Sequence, residues 1–206
     1  MINTVVDLSH HNGQVDFQRA KANGIQGVIY KATQGETNQD ATYITRRDKA
    51  KKAGLMFGAY HFGTGKDVKK QASNFLNVVK PSNKDLLVLD FEDNTTGTTM
   101  SLNQAREFIK IIYKETGRYP GLYSGALLKA ELGSDNDDLL KNCWLWISHY
   151  TSKPSPVIPK NWKTWTMWQY TDGALGGIPR EVDGIGRCDR NRFNGDEAGL
   201  KRLWGY

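Results

Sequence analysis

Apolar and polar positions follow two interleaved rhythms along this chain. Short β-prone runs without clean alternation recur at Val5-Val6-Asp7-Leu8, Val28-Ile29-Tyr30-Lys31, Met56 to Phe62, Leu86 to Glu92, and Gly121-Leu122-Tyr123-Ser124. Such runs fit strands covered on both faces. Between them the spacing becomes three-four. Leu102, Ala105, Phe108, Ile109, Ile112 and Tyr113 make one apolar helix face. Ser101 and Gln104 supply a capping box at its start, and Gly117 a stop. Val68, Ala72, Phe75, Leu76 and Val79 repeat the pattern up to Pro81. Further helices are predicted over 17–23, 43–53, within 126–141 (broken near Gly133) and over 197–204.

The strand starts at 5, 28, 56, 86 and 121 lie 23 to 35 residues apart, the length of a strand–helix unit. Then the rhythm changes. Strands near Leu145, Thr166 and Cys188 follow at closer intervals, through connections rich in Pro154, Pro156 and Pro159 and in Gly173, Gly176, Gly177 and Pro179. Neither connection reads as helical. Five strand–helix units and three further strands predict an α/β fold, an incomplete TIM-type barrel of (β/α)5β3 form. An open doubly wound sheet is the rival, but neither its dinucleotide-binding glycine signature nor a phosphate-binding loop is present.

In such a barrel, chemistry sits at the C-terminal strand ends. The predicted ends carry Asp7, Tyr60-His61, Asp90-Phe91-Glu92, Tyr123, His149-Tyr150 and Trp168-Gln169-Tyr170, and the eighth strand reads Asp189-Arg190-Asn191. Alternation points Asp90 and Glu92 to one side and Leu87 and Leu89 to the other, toward covering helices. Two inward carboxylates on one strand cannot both be buried and ionised cheaply, so one is expected to hold a proton while the other stays charged. Asp7 and Asp189 lie on strands that become neighbours if the barrel closes, adding two more acids to the same mouth. Trp168 and Tyr170 share a face and are placed to stack on sugar rings. A strand-end Asp taken singly is more often structural; four acids at strand ends are harder to dismiss.

Composition narrows the classes. The 206 residues suit one well-buried core. No apolar run approaches the ~20 residues of a membrane helix, so membrane insertion is not expected. Cys143 and Cys188 cannot form a disulfide scaffold and read as inert buried thiols. His10-His11 lacks a partner at helical spacing, so neither a metal nor another cofactor is expected. The net charge of +6 points to an anionic partner, yet no nucleic-acid motif accompanies it.

These residues resemble glycoside hydrolase family 25, the Chalaropsis-type lysozymes that include many phage endolysins. The markers are V-D-L-S-H-H-N-G at 6–13, V-I-Y-K-A-T-Q-G at 28–35, G-A-Y-H-F at 58–62, L-V-L-D-F-E at 87–92, P-G-L-Y-S-G at 120–125, W-I-S-H-Y at 146–150, W-Q-Y at 168–170 and D-R-N-R-F-N-G at 189–195. Their order spans essentially the whole chain.

The resemblance implies the (β/α)5β3 barrel and an N-acetylmuramidase cleaving the β-1,4 bond between N-acetylmuramic acid and N-acetylglucosamine in peptidoglycan. It implies Glu92 as general acid, Asp90 as its ionised partner, and Asp7 and Asp189 as the remaining acids. Tyr60, Tyr123, Trp168 and Tyr170 would bind the glycan. Either the substrate's 2-acetamido group attacks the anomeric carbon, giving retention, or Asp90 activates water, giving inversion. Arg190 departs from the family pattern, in which an apolar residue follows the last acid.

The competing readings are a glycan-binding barrel without catalysis, a chitinase, and a wall amidase. The amidase would normally need a metal. Residues 1–206 are expected to form one catalytic barrel with no separate wall-binding domain. The positive charge is expected to favour anionic wall polymers. The N-terminus has no basic and apolar leader. This suggests cytoplasmic synthesis and holin-type release toward the wall, or an extracellular protein whose signal has been removed.

Overall fold

The computed structural model describes residues 1–151 and 153–206. The chain runs β1 (Ile2–Leu8), α1 (Phe17–Ala22), β2 (Gly27–Gln34), β3 (Asn38–Gln39), α2 (Tyr43–Lys52), β4 (Met56–Phe62), α3 (Val68–Val79), β5 (Leu86–Asp90), α4 (Leu102–Thr116), β6 (Gly121–Ser124) and α5 (Ala126–Leu132). After a single 3-10 turn at Leu140–Asn142 come β7 (Leu145–Ser148), β8 (Met167–Thr171), β9 (Glu181–Val182), β10 (Gly186–Arg187), β11 (Asp189–Phe193) and α6 (Glu197–Leu203).

The helix ends form where local chemistry puts them. Ser101 Oγ accepts from the Gln104 amide at 3.3 Å while Gln104 Oε1 accepts from the Ser101 amide at 2.9 Å, closing the capping box at the start of α4. At its other end Gly117 adopts φ +69°, which terminates the helix without a Cβ clash. Asp16, Asp67 and Asp196 cap α1, α3 and α6 through their carboxylates.

The sheet closes on itself. Around the barrel the order is β1, β11, β8, β7, β6, β5, β4, β2 and back to β1, with β3 a short addition at the edge of β2. The pairs from β1 to β2 and onward to β8 are parallel, whereas β11 runs antiparallel to both β8 and β1. The reason is the connection: β8 reaches β11 through the β9–β10 hairpin with no crossover helix, and strands joined that way pair antiparallel.

Strand parity divides the core in two. Val5, Ile29, Met56, Leu86, Val88, Met167 and Phe193 fill the barrel interior. Leu87, Leu89, Leu122 and Ile147 point outward against Phe75, Phe108, Ile109 and Ile112 of α3 and α4, as alternation predicts. Trp204, just past α6, plugs the N-terminal end of the barrel and lies against Gly27, where a Cβ would come within 3.1 Å of its ring. With one end sealed, the strand ends opposite form the accessible mouth.

Candidate active site

The mouth is a cavity of about 200 Å³ lined by Asp7, Tyr60, Asp90, Glu92, Tyr123, Trp146, Tyr150, Gln169 and Asp189. Asp7 comes from the end of β1 and Asp90 closes β5. Leu86 and Val88 point into the barrel, so Asp90 does too. The Phe91 amide donates to the Tyr123 carbonyl at 2.9 Å, which keeps the chain extended past the strand and turns Glu92 to the same side. Asp189 is the first residue of β11 and is paired in register with Asp7. The antiparallel sense of β11 therefore brings a strand beginning, not an end, to the mouth.

Burial drives all four carboxyls toward their protonated forms. Asp7 is raised to about 6 by desolvation, against the hydrogen bonds from Asn191 and Gln169 that hold it down. Asp189 is raised to about 8 by desolvation and by the Asp7 charge. Asp90 lies well above the ordinary carboxylate range because of burial and the neighbouring Glu92. Burial raises Glu92 as well; Lys31 opposes the rise, and Asp189 and Asp93 add to it. Lys31 reaches this region from β2, its Nζ 2.7 Å from Gln34 Oε1 and 5.0 Å from the centre of the Phe62 ring. One Asp90 oxygen, Oδ1, is buried without a hydrogen-bond partner. The phenols of Tyr60 and Tyr123 stay neutral, their pKa values raised by burial beside the acids.

Two of the four expected glycan-binding aromatics, Tyr60 and Tyr123, line the mouth. Trp168 and Tyr170 do not, which corrects the sequence expectation. The two do share a face, but it is the outer one, and both are fully buried. Trp168 Nε1 donates to the His149 carbonyl at 2.8 Å, and Tyr170 Oη donates to the Pro179 carbonyl at 2.6 Å. The Arg192 guanidinium lies over both rings, 5.0 and 4.5 Å from their centroids. These aromatics form the outer layer in the part of the barrel that has no helices. Parity carries the reason: Met167 and Gln169 face inward, so the residues between and after them face out.

Sequence reasoning placed Tyr150, Gln169 and Asn191 at strand ends without giving them a role, and gave Trp146 none. The spacing of Asn191 two residues after Asp189 would have placed it on the same face as that acid, whereas for Gln169 the pattern leaves the phase of β8 open. Arg190 points outward and donates to the Glu181 carbonyl at 2.6 Å, away from the acids. His61 also faces outward, fully buried between Thr33 and Gln71, and burial lowers its pKa to about 4. His10 Nδ1 lies 2.9 Å from Asp40, with the His11 ring beside it.

A larger cleft of about 710 Å³ opens at the sealed end, among Lys21, Lys51, Lys84 and Lys201. Among the described residues no Asp or Glu side chain lines it, and it meets the sheet only at Met56, where β4 begins, so the acid–base chemistry belongs to the smaller mouth.

The family model for glycosyl hydrolases family 25 matches residues 6–177. The chain belongs to glycosyl hydrolase family 25. Lysozyme M1 of Streptomyces globisporus is 28% identical over 96% of this chain and 70% of its own length. Among solved structures, a family GH25 lysozyme from Aspergillus fumigatus superimposes with a TM-score of 0.83 at 32% identity, covering 98% of each chain. The muramidase of Acremonium alcalophilum gives 0.85 at 30% identity and 99% of each chain. The family's barrel is thus present here with its sheet complete, and the acid-lined mouth is where the two ends of the chain's sheet meet.

Proposed function

We propose that this family 25 hydrolase is a peptidoglycan N-acetylmuramidase that cleaves the β-1,4 bond between N-acetylmuramic acid and N-acetylglucosamine, with Glu92 as the general acid. The observation that carries the reading is the convergence of four inward carboxyls in one aromatic-walled mouth, all held above their ordinary pKa values. Glu92 is half-buried, as is Asp189, and burial raises its pKa while it lies at the accessible edge on the same side as Asp90. It would give its proton to the glycosidic oxygen as the bond to the anomeric carbon breaks.

Asp90 has an acceptor oxygen, Oδ1, with nothing bound to it. A 2-acetamido N–H from the sugar supplies the missing donor, and the new hydrogen bond favours the ionised carboxylate. The acetamido oxygen then attacks the anomeric carbon. Water opens the resulting oxazolinium ion and returns its proton to Glu92, with net retention. Direct attack by a water that Asp90 deprotonates would give inversion; the anomer of the first-formed product, read by NMR, separates the two routes. Tyr60 and Tyr123 offer the sugar-contacting wall.

Mass spectrometry of a peptidoglycan digest tests the assignment. New reducing ends on N-acetylmuramic acid support it; cleavage of an amide, or new reducing ends on N-acetylglucosamine, would overturn it. A barrel that bound glycan without hydrolysis would leave the turbidity of a cell-wall suspension unchanged.

No helix among the described residues is long and apolar enough to cross a membrane, and the substrate lies in the cell wall. Release from the cytoplasm through a holin-type pore is the proposed route. It predicts lysis of cells expressing the chain only when a holin is co-expressed.

A further inference from the structure

Asp7 stands apart from the other acids in having an amide donor on each oxygen. Asn191 Nδ2 donates to Oδ1 at 2.7 Å, and Gln169 Nε2 donates to Oδ2 at 2.9 Å. A carboxamide can present either its oxygen or its NH2 to a neighbour, so the donors must themselves be oriented. They are. The Trp146 indole N–H, which can only donate, is 2.7 Å from Asn191 Oδ1. The Tyr123 and Tyr150 hydroxyls both donate to Gln169 Oε1, each at 2.8 Å. The donor-only indole locks Asn191 with its N–H toward Asp7, and with the two phenols donating to Oε1 Gln169 likewise turns N–H toward Asp7. Gln169 and Asn191 are themselves fully buried or nearly so, and water cannot substitute for them.

We propose that Gln169 and Asn191 are positioning residues that favour the charged form of Asp7 over those of Asp90 and Asp189, with Trp146, Tyr123 and Tyr150 fixing the direction of the two amides. The inference rests on the muramidase reading for its purpose and on this hydrogen-bond array for its content. Hydrogen bonds to a carboxylate favour its charged form. Among the described residues, Asp189 receives no side-chain hydrogen bond, and Asp90 Oδ1 is unpartnered.

The groups facing Asp7 are Asp90 and Glu92 from the end of β5, Asp189 and Cys188 at the start of β11, Tyr60 on β4, Tyr123 on β6 and Tyr150 beyond β7. None of these is a cation. Lys31 on β2 acts on Asp90 and Glu92 rather than on Asp7. The two amides therefore favour the ionised form of Asp7 over those of Asp90 and Asp189, while the Glu92 charge opposes it. A fixed anion there would oppose the positive charge that develops on the sugar ring in the transition state, and it is in place before Glu92 gives up its proton and Asp90 meets the acetamido N–H.

Carboxyl 13C NMR titration tests this without reference to activity. Asp7 is expected to lose its proton at a lower pH than Asp90 and Asp189, with a midpoint near 6. Gln169→Glu keeps an acceptor for the two tyrosines but turns an oxygen toward Asp7 Oδ2, so the pair must share a proton. The Asp7 midpoint and the acidic limb of kcat/KM on soluble glycan fragments should both rise by at least one pH unit. At the optimum, kcat should fall tenfold or more with KM within threefold. Asn191→Asp should act in the same direction.

Unchanged pH limbs in two folded variants would overturn the proposal, as would Asp189 or Asp90 ionising before Asp7 in the wild type. That wild-type titration decides even if the variants fail to fold. Absence of any muropeptide cleavage would instead remove the muramidase reading and leave the titration order standing.

Discussion

Asp7 and Asp189 face one another in register across an antiparallel seam of the barrel, where the first strand meets the last. Each raises the cost of ionising the other, and Asp189, the one without amide donors, bears the larger shift, to about 8. A carboxyl raised in the folded state contributes stability that is fully present below its unfolded value near 3.8 and is lost as pH rises through about 8. Asp189→Asn removes that loss. Its Tm is expected to exceed the wild-type value by several degrees at pH 9 and by clearly less at pH 5, where only the first part of the loss has occurred. Thermal melts at the two pH values check this, and equal shifts at both would show that Asp189 is not neutral at pH 5.

Glu92→Gln keeps shape and removes the proton that the leaving oxygen needs. Turnover of wall glycan should fall by about 10²-fold or more while the fold and substrate affinity persist. Asp90→Asn removes the charge that the acetamido N–H would meet and should be comparably severe. Wild-type turnover in Glu92→Gln would displace the acid role to another carboxyl.

Trp168→Ala distinguishes a structural aromatic from a binding one. The side chain is fully enclosed, with its indole bonded to the His149 carbonyl. Its truncation should cost about 3–5 kcal/mol of stability, seen in urea unfolding, with KM of the folded fraction within twofold of wild type. A large rise in KM with little loss of stability would return Trp168 to the glycan-binding surface.

His61 is buried in the neutral form, with its pKa lowered from 6.5 to about 4. A depressed histidine contributes stability that is present above 6.5 and lost as pH falls through about 4. The loss amounts to about 3 kcal/mol at most. The unfolding free energy of wild type relative to His61→Asn should therefore shrink between pH 7 and pH 4. A constant difference would mean that His61 is charged in the fold.

The net charge of +6 cannot act from the mouth, which is lined with acids. If it aids adhesion to anionic wall polymers, lysis of whole walls should decline as salt shortens the Debye length, while hydrolysis of soluble fragments should not. Equal salt responses for the two substrates would make the charge incidental to adhesion.

Much of this molecule is written in local pattern. The three-four spacing from Leu102 to Tyr113, its capping box and Gly117 define α4 without outside help. The alternation Leu87, Leu89 against Val88, Asp90, Glu92 assigns two faces to one strand, and both core layers obey it. The four acids were legible because carboxyls at strand ends are costly unless they work. The phase of β8 was not settled by the pattern: Trp168 and Tyr170 are apolar enough for either face, and only their packing against Arg192 and the Pro179 carbonyl places them outside.

The sequence by itself determined the helices and the eight barrel strands, their order and the four acids, though not the short β3, β9 and β10, because caps, turns and periodicity act over a few neighbouring residues. Tertiary structure alone decided the sense of β11, and with it the meeting of Asp7 and Asp189 from opposite ends of the chain. It also decided the state of Asp7, since a carboxyl's charge depends on which amides point at it. Asn191 and Gln169 are aimed by Trp146, Tyr123 and Tyr150, residues that come together only when the barrel closes.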